Sequence, residues 1–234
     1  MLIDDGLEIC KNSINIKFSK LFSDIYTDQN DIIKNKGKTG QMLEKLCGLD
    51  LSSNITDFED GELKTIKMGK KSSNPKLSPK ESSFQITMLN SWVDELLKEK
   101  ILPFEKTRLH KKTKKFILMQ VNKDDSDPLN WFFRKCVLYD GSKGSDLYKK
   151  LESDYIAISK ELKKSLKDPS SVIHTTNGSN DSIIQIRTKG AGNDEDKSIY
   201  SDVLGREITN KRSVAFYMKR INFLKFNNEN TNYE

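Results

Sequence analysis

Apolar positions along this chain change their period in a way that separates helices from strands before any other property is considered. Leu2, Ile3, Leu7, Ile14, Phe18, Leu21, Phe22 and Ile25 recur at near three-four spacing, which predicts an amphipathic helix or a pair of helices up to about Tyr26. A polar break follows over 28–38. Met42, Leu43 and Leu46 then predict a helix over 40–48, with Glu44 beside them and Gly48 placed to cap it. From there the period falls to two, and strands are expected at 62–68, 83–89, 116–121 and 131–139, the second with Phe84, Ile86 and Met88 alternating. Between the first two, 69–81 is rich in Lys, Ser, Asn and Pro and reads as a loop, mobile until something binds. The clearest helix spans 145–167, where Leu147, Leu151, Tyr155, Ile158, Leu162 and Leu166 step by 4, 4, 3, 4 and 4 until Pro169 ends it. A final strand pair, 182–187 and 214–219, flanks a segment rich in Gly, Asp and Ser. Helices, a strand cluster, a long helix and more strands describe a mixed α/β chain with a central sheet, divided by a cleft.

The chain has 234 residues, enough to bury a full core as one large domain or two small lobes. Its hydrophobic content of 35% is low, so long solvated loops are expected. No apolar run approaches the roughly 20 residues that span a bilayer. The opening Met1-Leu-Ile-Asp-Asp lacks the basic and apolar regions of a signal peptide, and a cytoplasmic location follows as the expectation. Cys10, Cys47 and Cys136 lie far apart in sequence without metal-ligand spacing and read as free thiols in or near the core. His110 and His174 are also far apart, which argues against a histidine-metal nuclease or a zinc site. Gly-Lys-Thr at 37–39 lacks the upstream glycine of a phosphate-binding loop, so ATP hydrolysis is not built in.

Charge narrows the partner. Lys and Arg number 40 against 34 Asp and Glu, a formal net charge of +6, and the excess gathers at 67–71, 106–115 and 206–220. Such basic stretches neutralise backbone phosphates and bind polyanions in a salt-sensitive way.

The residues that carry chemistry are 57–64, Asp-Phe-Glu-Asp-Gly-Glu-Leu-Lys. In an extended strand alternate side chains share a face, so Glu62 and Lys64 point one way while Leu63 turns toward the core. Asp57 would enter from a neighbouring turn. Two carboxylates at one point suit Mg²⁺, a hard cation that takes oxygen ligands and shares its remaining positions with water and substrate phosphate. A lysine beside them can hold an attacking water or neutralise charge that builds on the phosphorus.

Four segments, taken in order, resemble the MutH family of DNA endonucleases. They are Lys36-Gly-Lys-Thr-Gly-Gln-Met-Leu-Glu44, Asp57 through Glu62-Leu-Lys64-Thr-Ile, Ile184-Gln-Ile-Arg187-Thr-Lys189-Gly-Ala and Ala215-Phe-Tyr217-Met-Lys219. The family includes the mismatch-repair nicking enzyme and type II restriction endonucleases specific for GATC. The resemblance implies a PD-(D/E)XK nuclease: a central mixed sheet flanked by helices and two lobes around a DNA-binding cleft. Its catalytic lobe would lie mainly in 30–125 and its recognition lobe mainly in 126–226. It also implies double-stranded DNA as substrate and Mg²⁺ as cofactor. Asp57 and Glu62 would be the metal ligands, Lys64 the catalytic lysine, and Glu44 the supporting carboxylate carried on a helix. Arg187, Lys189 and Tyr217 fall on family positions concerned with DNA reading. Arginine offers a fork for guanine O6 and N7, and tyrosine can pack on a base edge or methyl group; phosphate contact and a core aromatic are the plainer alternatives.

The pattern departs from the family in two places. The connection from Asp57 to the strand is shorter than usual, which leaves Asp60 or Glu59 as substitutes for Asp57. A further basic residue of the family follows a histidine, and both Lys111 and Lys112 follow His110. The polar stretch at 69–81 and the divergence around Asp57 favour a restriction enzyme, with a DNA methyltransferase as its functional partner. A mismatch-repair nickase, with a repair-protein partner, is the alternative. A non-catalytic DNA-binding module is a third reading, opposed by intact Asp57, Glu62 and Lys64.

Overall fold

The computed structural model describes residues 1–23, 32–33, 37–49, 55–71, 74–79, 81–189, 198–209 and 212–227, and for 70, 71, 74–79, 91 and 189 the backbone alone. In chain order its longer helices are α1 (Ile3–Asn12), α2 (Phe18–Leu21), α3 (Lys38–Leu46), α4 (Asp94–Leu97), α5 (Arg108–Thr113), α6 (Asp146–Ser165) and α7 (Arg220–Phe226). The strands are β1 (Glu62–Lys71), β2 (Asn74–Pro79), β3 (Ser83–Met88), β4 (Lys115–Asn122), β5 (Phe132–Asp140), β6 (Ile184–Lys189), β7 (Tyr200–Ser201), β8 (Arg206–Glu207) and β9 (Ser213–Lys219). The chain forms two compact units. The first holds Met1–Glu81 and Lys112–Asp140, the second Ser82–Lys111 and Gly141–Glu229. Among the described residues no helix is long and apolar enough to cross a membrane.

The first unit is built on a mixed four-stranded sheet in the order β2-β1-β4-β5. β1 and β4 run parallel, with Glu62 opposite Phe116, while β2 and β5 are antiparallel to their neighbours. Helices α1, α2 and α3 supply Ile3, Cys10, Phe18, Met42 and Leu43 to a core that the sheet completes with Leu63, Ile117, Met119, Val121 and Phe133. The predicted N-terminal helix is a pair. Backbone bridges from Ile14 to Phe133 and from Lys17 to Phe132 pull the chain out of helix after α1, and Asn15 takes a left-handed conformation (φ 62°) there. Residues 24–26, where the second helix was expected to end, lie outside the described residues.

α3 ends as its glycine predicts. Gly48 adopts φ 69° and donates its N–H to the carbonyl of Lys45, and Leu49 donates to that of Glu44, the paired bonds of a Schellman cap. At the other end of α3, the Thr39 hydroxyl accepts a bond of 2.9 Å from the Lys123 ammonium, which also lies 4.0 Å from the centre of the Trp131 ring. That buried lysine ties α3 to the end of β4.

Two expectations fail. Most of the stretch 69–81 is strand and not loop: β1 runs on to Lys71, and β2 (Asn74–Pro79) pairs with it, Gly69 opposite Ser78 and Lys71 opposite Asn74, while 72, 73 and 80 lie outside the described residues. Edge strands carry lysine and proline that discourage pairing with another chain, and with both present in 74–79 the period-two signal is missing. The strands also do not share one central sheet. β3, β9 and β6 form a separate antiparallel sheet in the second unit, and β7 and β8 pair as two short antiparallel strands within the segment rich in Gly, Asp and Ser. Hydrophobic alternation marks a strand's buried face without identifying its neighbour.

In the second unit α6 spans nearly the expected range. Ser145 accepts a bond from Tyr148 N–H at its start, and Leu147, Leu151, Tyr155, Ile158 and Leu162 are buried. The buried carboxylate of Asp154 accepts the N–H of Ile183 at 2.6 Å, just before β6, and the hydroxyl of Ser159 donates to the carbonyl of Leu96.

Candidate active site

The short connection before β1 sets the position of Asp57. Phe58 N–H donates to the carbonyl of Gly61 at 2.9 Å, closing a tight turn, and Asp57 folds back so that its Oδ2 accepts the N–H of Leu63 at 2.8 Å. Position 61 has no room for a side chain: a Cβ there would stand 2.8 Å from the carbonyl of Lys115. The turn thus places Asp57 beside the first residues of β1. Asp60 and Glu59, its sequence alternatives, face α1 instead. Asp60 accepts the N–H of Ile3 at 2.8 Å, and Glu59 pairs with the Met1 amino group at 2.7 Å.

On β1 the expected alternation holds. Leu63 is buried in the core, whereas Glu62 and Lys64 share the other face, with the Lys64 ammonium bonded to Glu62 Oε1. Glu62 is 1% exposed. Its second cation comes from Lys112, whose Nζ lies 2.8 Å from each carboxylate oxygen. Topology explains the encounter: β1 and β4 are parallel and start together, so the end of α5, just before β4, lands beside Glu62. Of the two lysines after His110, Lys112 therefore joins the cluster and Lys111 is exposed.

Glu44 completes the cluster from α3. Its Oε1 would lie 3.9 Å from a Cβ at Gly40, and Thr65 Oγ1 on β1 would lie 3.8 Å from that same point. Burial pushes the carboxyl of Glu44 above its ordinary value, and the charges of Asp57 and Glu62 push the same way against the pull of Lys64 and Lys112. For Glu62, burial again outweighs its two lysine partners, and its pKa is raised. Three carboxylates and two ammonium groups, from a helix, a turn, a strand and a second helix end, thus feel one another's charge, with the direct ion pairs running from Lys64 and Lys112 to Glu62. Two carboxyls, Glu44 and Glu62, whose pKa is raised by burial and by neighbouring negative charge form a site where a cation would bind favourably.

The second group of expected residues lies on the three-stranded sheet. Arg187 donates through Nη1 to the hydroxyl of Ser83 at 2.8 Å, and its guanidinium carbon lies 5.2 Å from the centre of the Tyr217 ring. Arg187 pairs with Ala215 and Gln185 with Tyr217, so Arg187 and Tyr217 are diagonal neighbours on one face. Lys189 pairs with Ser213 at the end of β6; its side chain lies outside the described residues. His110 is structural. Its ring packs between Phe104 and Tyr148, with Nδ1 3.2 Å from the carbonyl of Glu105.

No family model matches the sequence, and no curated protein matches it. Among solved structures the chain is similar to a restriction endonuclease MvaI–cognate DNA substrate complex, with 12% identity, 94% of each chain covered and a TM-score of 0.40. A likeness that slight carries no argument about this chain.

Proposed function

We propose that the chain is a Mg²⁺-dependent, sequence-specific DNA endonuclease of restriction type. The observation that carries the reading is the convergence of Glu44, Asp57, Glu62, Lys64 and Lys112 in one compact unit. Among the described residues no three acidic, histidine or cysteine side chains are arranged to enclose a metal. Mg²⁺ needs only one or two carboxylates and keeps water and substrate phosphate in its other positions. Asp57 and Glu62 would hold it. When bound, the ion would polarise the scissile phosphate and lower the pKa of a coordinated water.

The chain's own groups would do the rest. Lys64, a compact ammonium beside Glu62, would hold the attacking water or meet charge gathering on a phosphoryl oxygen. Lys112 neutralises buried Glu62, and its ammonium would be available to a phosphate oxygen of the substrate. Glu44 would support the site by accepting a bond from the attacking water. Arg187, backed by Tyr217 and fixed by Ser83, would read a guanine, while Lys189 and Lys111 would contact backbone phosphates. GATC as the site and a methyltransferase as the protecting partner come from the resemblance to the MutH family.

The test is to incubate the purified protein with Mg²⁺ and unmethylated, hemimethylated and fully methylated plasmid and to sequence the ends. Linear product with ends at a fixed sequence supports the reading. Single nicks confined to the unmethylated strand would transfer it to the mismatch-repair type. Intact plasmid under all conditions, with binding retained, would make the chain a DNA-binding module.

A further inference from the structure

We propose that Gln185 is a second base-reading residue, selecting adenine close to the guanine assigned to Arg187. The inference rests on the chain being a sequence-specific endonuclease. Pairing of β6 with β9 places Gln185 opposite Tyr217, and pairing of β3 with β9 places Gln85 on the other side of the same tyrosine. Side chains alternate across a strand, so Gln185 and Arg187 stand on one face with Tyr217. Ile184, Ile186, Phe216 and Met218 fill the opposite face and are buried. Arg187 is already engaged by Ser83 and Tyr217. Gln185 is half-buried, and its amide makes no hydrogen bond with a described residue.

A primary amide presents one donor and one acceptor side by side. In the major groove that pair matches adenine, accepting from N6–H and donating to N7, while the guanidinium fork matches guanine O6 and N7. Positions 185 and 187 are separated by roughly 6.7 Å along the strand, about two base-pair steps of 3.4 Å. Side chains of this length can therefore meet bases within two steps of each other in one short site. The three-stranded sheet holds them in register, so the spacing between the two contacts is set by the backbone.

The experiment compares wild type, Gln185→Ala and Gln185→Glu on a randomised duplex library with Mg²⁺, reading the cleaved ends by sequencing. Gln185→Ala should lose preference for A·T at one position by about 5- to 150-fold, the range for one bidentate base contact, and keep its guanine preference. Gln185→Glu is nearly isosteric and keeps the fold; its carboxylate accepts but cannot donate, so preference at that position should move toward cytosine. A sequence-specific wild type whose two variants keep the wild-type profile would overturn the assignment of Gln185 alone. A wild type that cuts without preference, or does not cut, would overturn the endonuclease reading and the assignment with it.

Discussion

The charged cluster around β1 and the polar face of the three-stranded sheet are built in opposite ways. Around Glu62, side chains from α3, the Asp57 turn, β1 and the end of α5 gather, and burial first, then the charge of Asp57, raises the carboxyl pKa of Glu44 and Glu62. On the sheet, Gln185, Arg187 and Tyr217 come from two adjacent strands and hold their places by register. The first arrangement is costly to fold, because each buried charge depends on its partners. The second is cheap, and its members can change singly. Chemistry needs the costly kind, since a preorganised field acts only if its groups cannot relax; reading a sequence needs spaced contacts that contribute separately.

The largest effects should follow from dismantling the cluster. Glu62→Ala, Lys64→Ala and Asp57→Asn should each lower cleavage by at least about 10²- to 10³-fold and leave DNA binding within about one order of magnitude, measured by single-turnover cleavage and by titration in Ca²⁺. Asp60→Asn, whose carboxylate accepts the N–H of Ile3 at the start of α1, should cut normally. A dead Asp60→Asn beside an active Asp57→Asn would reverse the ligand assignment.

The two lysines that the sequence could not separate should now differ. Lys112→Ala should cost about 10²-fold in cleavage, because it removes the ammonium that pairs with both oxygens of Glu62. Lys111→Ala should leave catalysis intact at low salt and reduce the slope of log K against log salt by about 0.9. Equal behaviour of the two variants would erase the distinction.

pH should act through the same crowding. Burial raises the pKa of Glu62, so between the ordinary carboxylate value and the raised one the folded protein holds a proton that the unfolded chain has released. Metal-free stability should therefore fall as pH rises through that window. Mg²⁺ binds the deprotonated form, so its stabilising effect should grow over the same window, as thermal melts with Mg²⁺ or EDTA would record. A Mg²⁺ effect independent of pH would remove Glu62 from the ligands.

Smaller changes belong to the sheet. Arg187→Ala should cost about 1–3 kcal/mol and relax preference at one G·C pair, read by competition among duplexes at fixed salt. Ser83→Ala, which removes one bond to that guanidinium, should cost about 0.5–1.5 kcal/mol of the same discrimination. An equal loss on cognate and variant DNA would make Arg187 a phosphate clamp.

The sequence by itself determined the elements whose signal is local. The 3-4 stepping of α6, the glycine cap of α3, and the alternation that buries Leu63 and exposes Glu62 and Lys64 to one another all follow from residues a few places apart. Helix and strand periods act over that range. Only the tertiary structure decided what met across long separations. Parallel pairing of β1 with β4 brought in Lys112, and edge pairing made strand of 69–71 and 74–79. The core also brought Cys10 and Cys47, spaced without any motif, to an Sγ separation of 3.9 Å. Strand partners are chosen by the closure of the whole core, and no run of neighbouring residues carries that information.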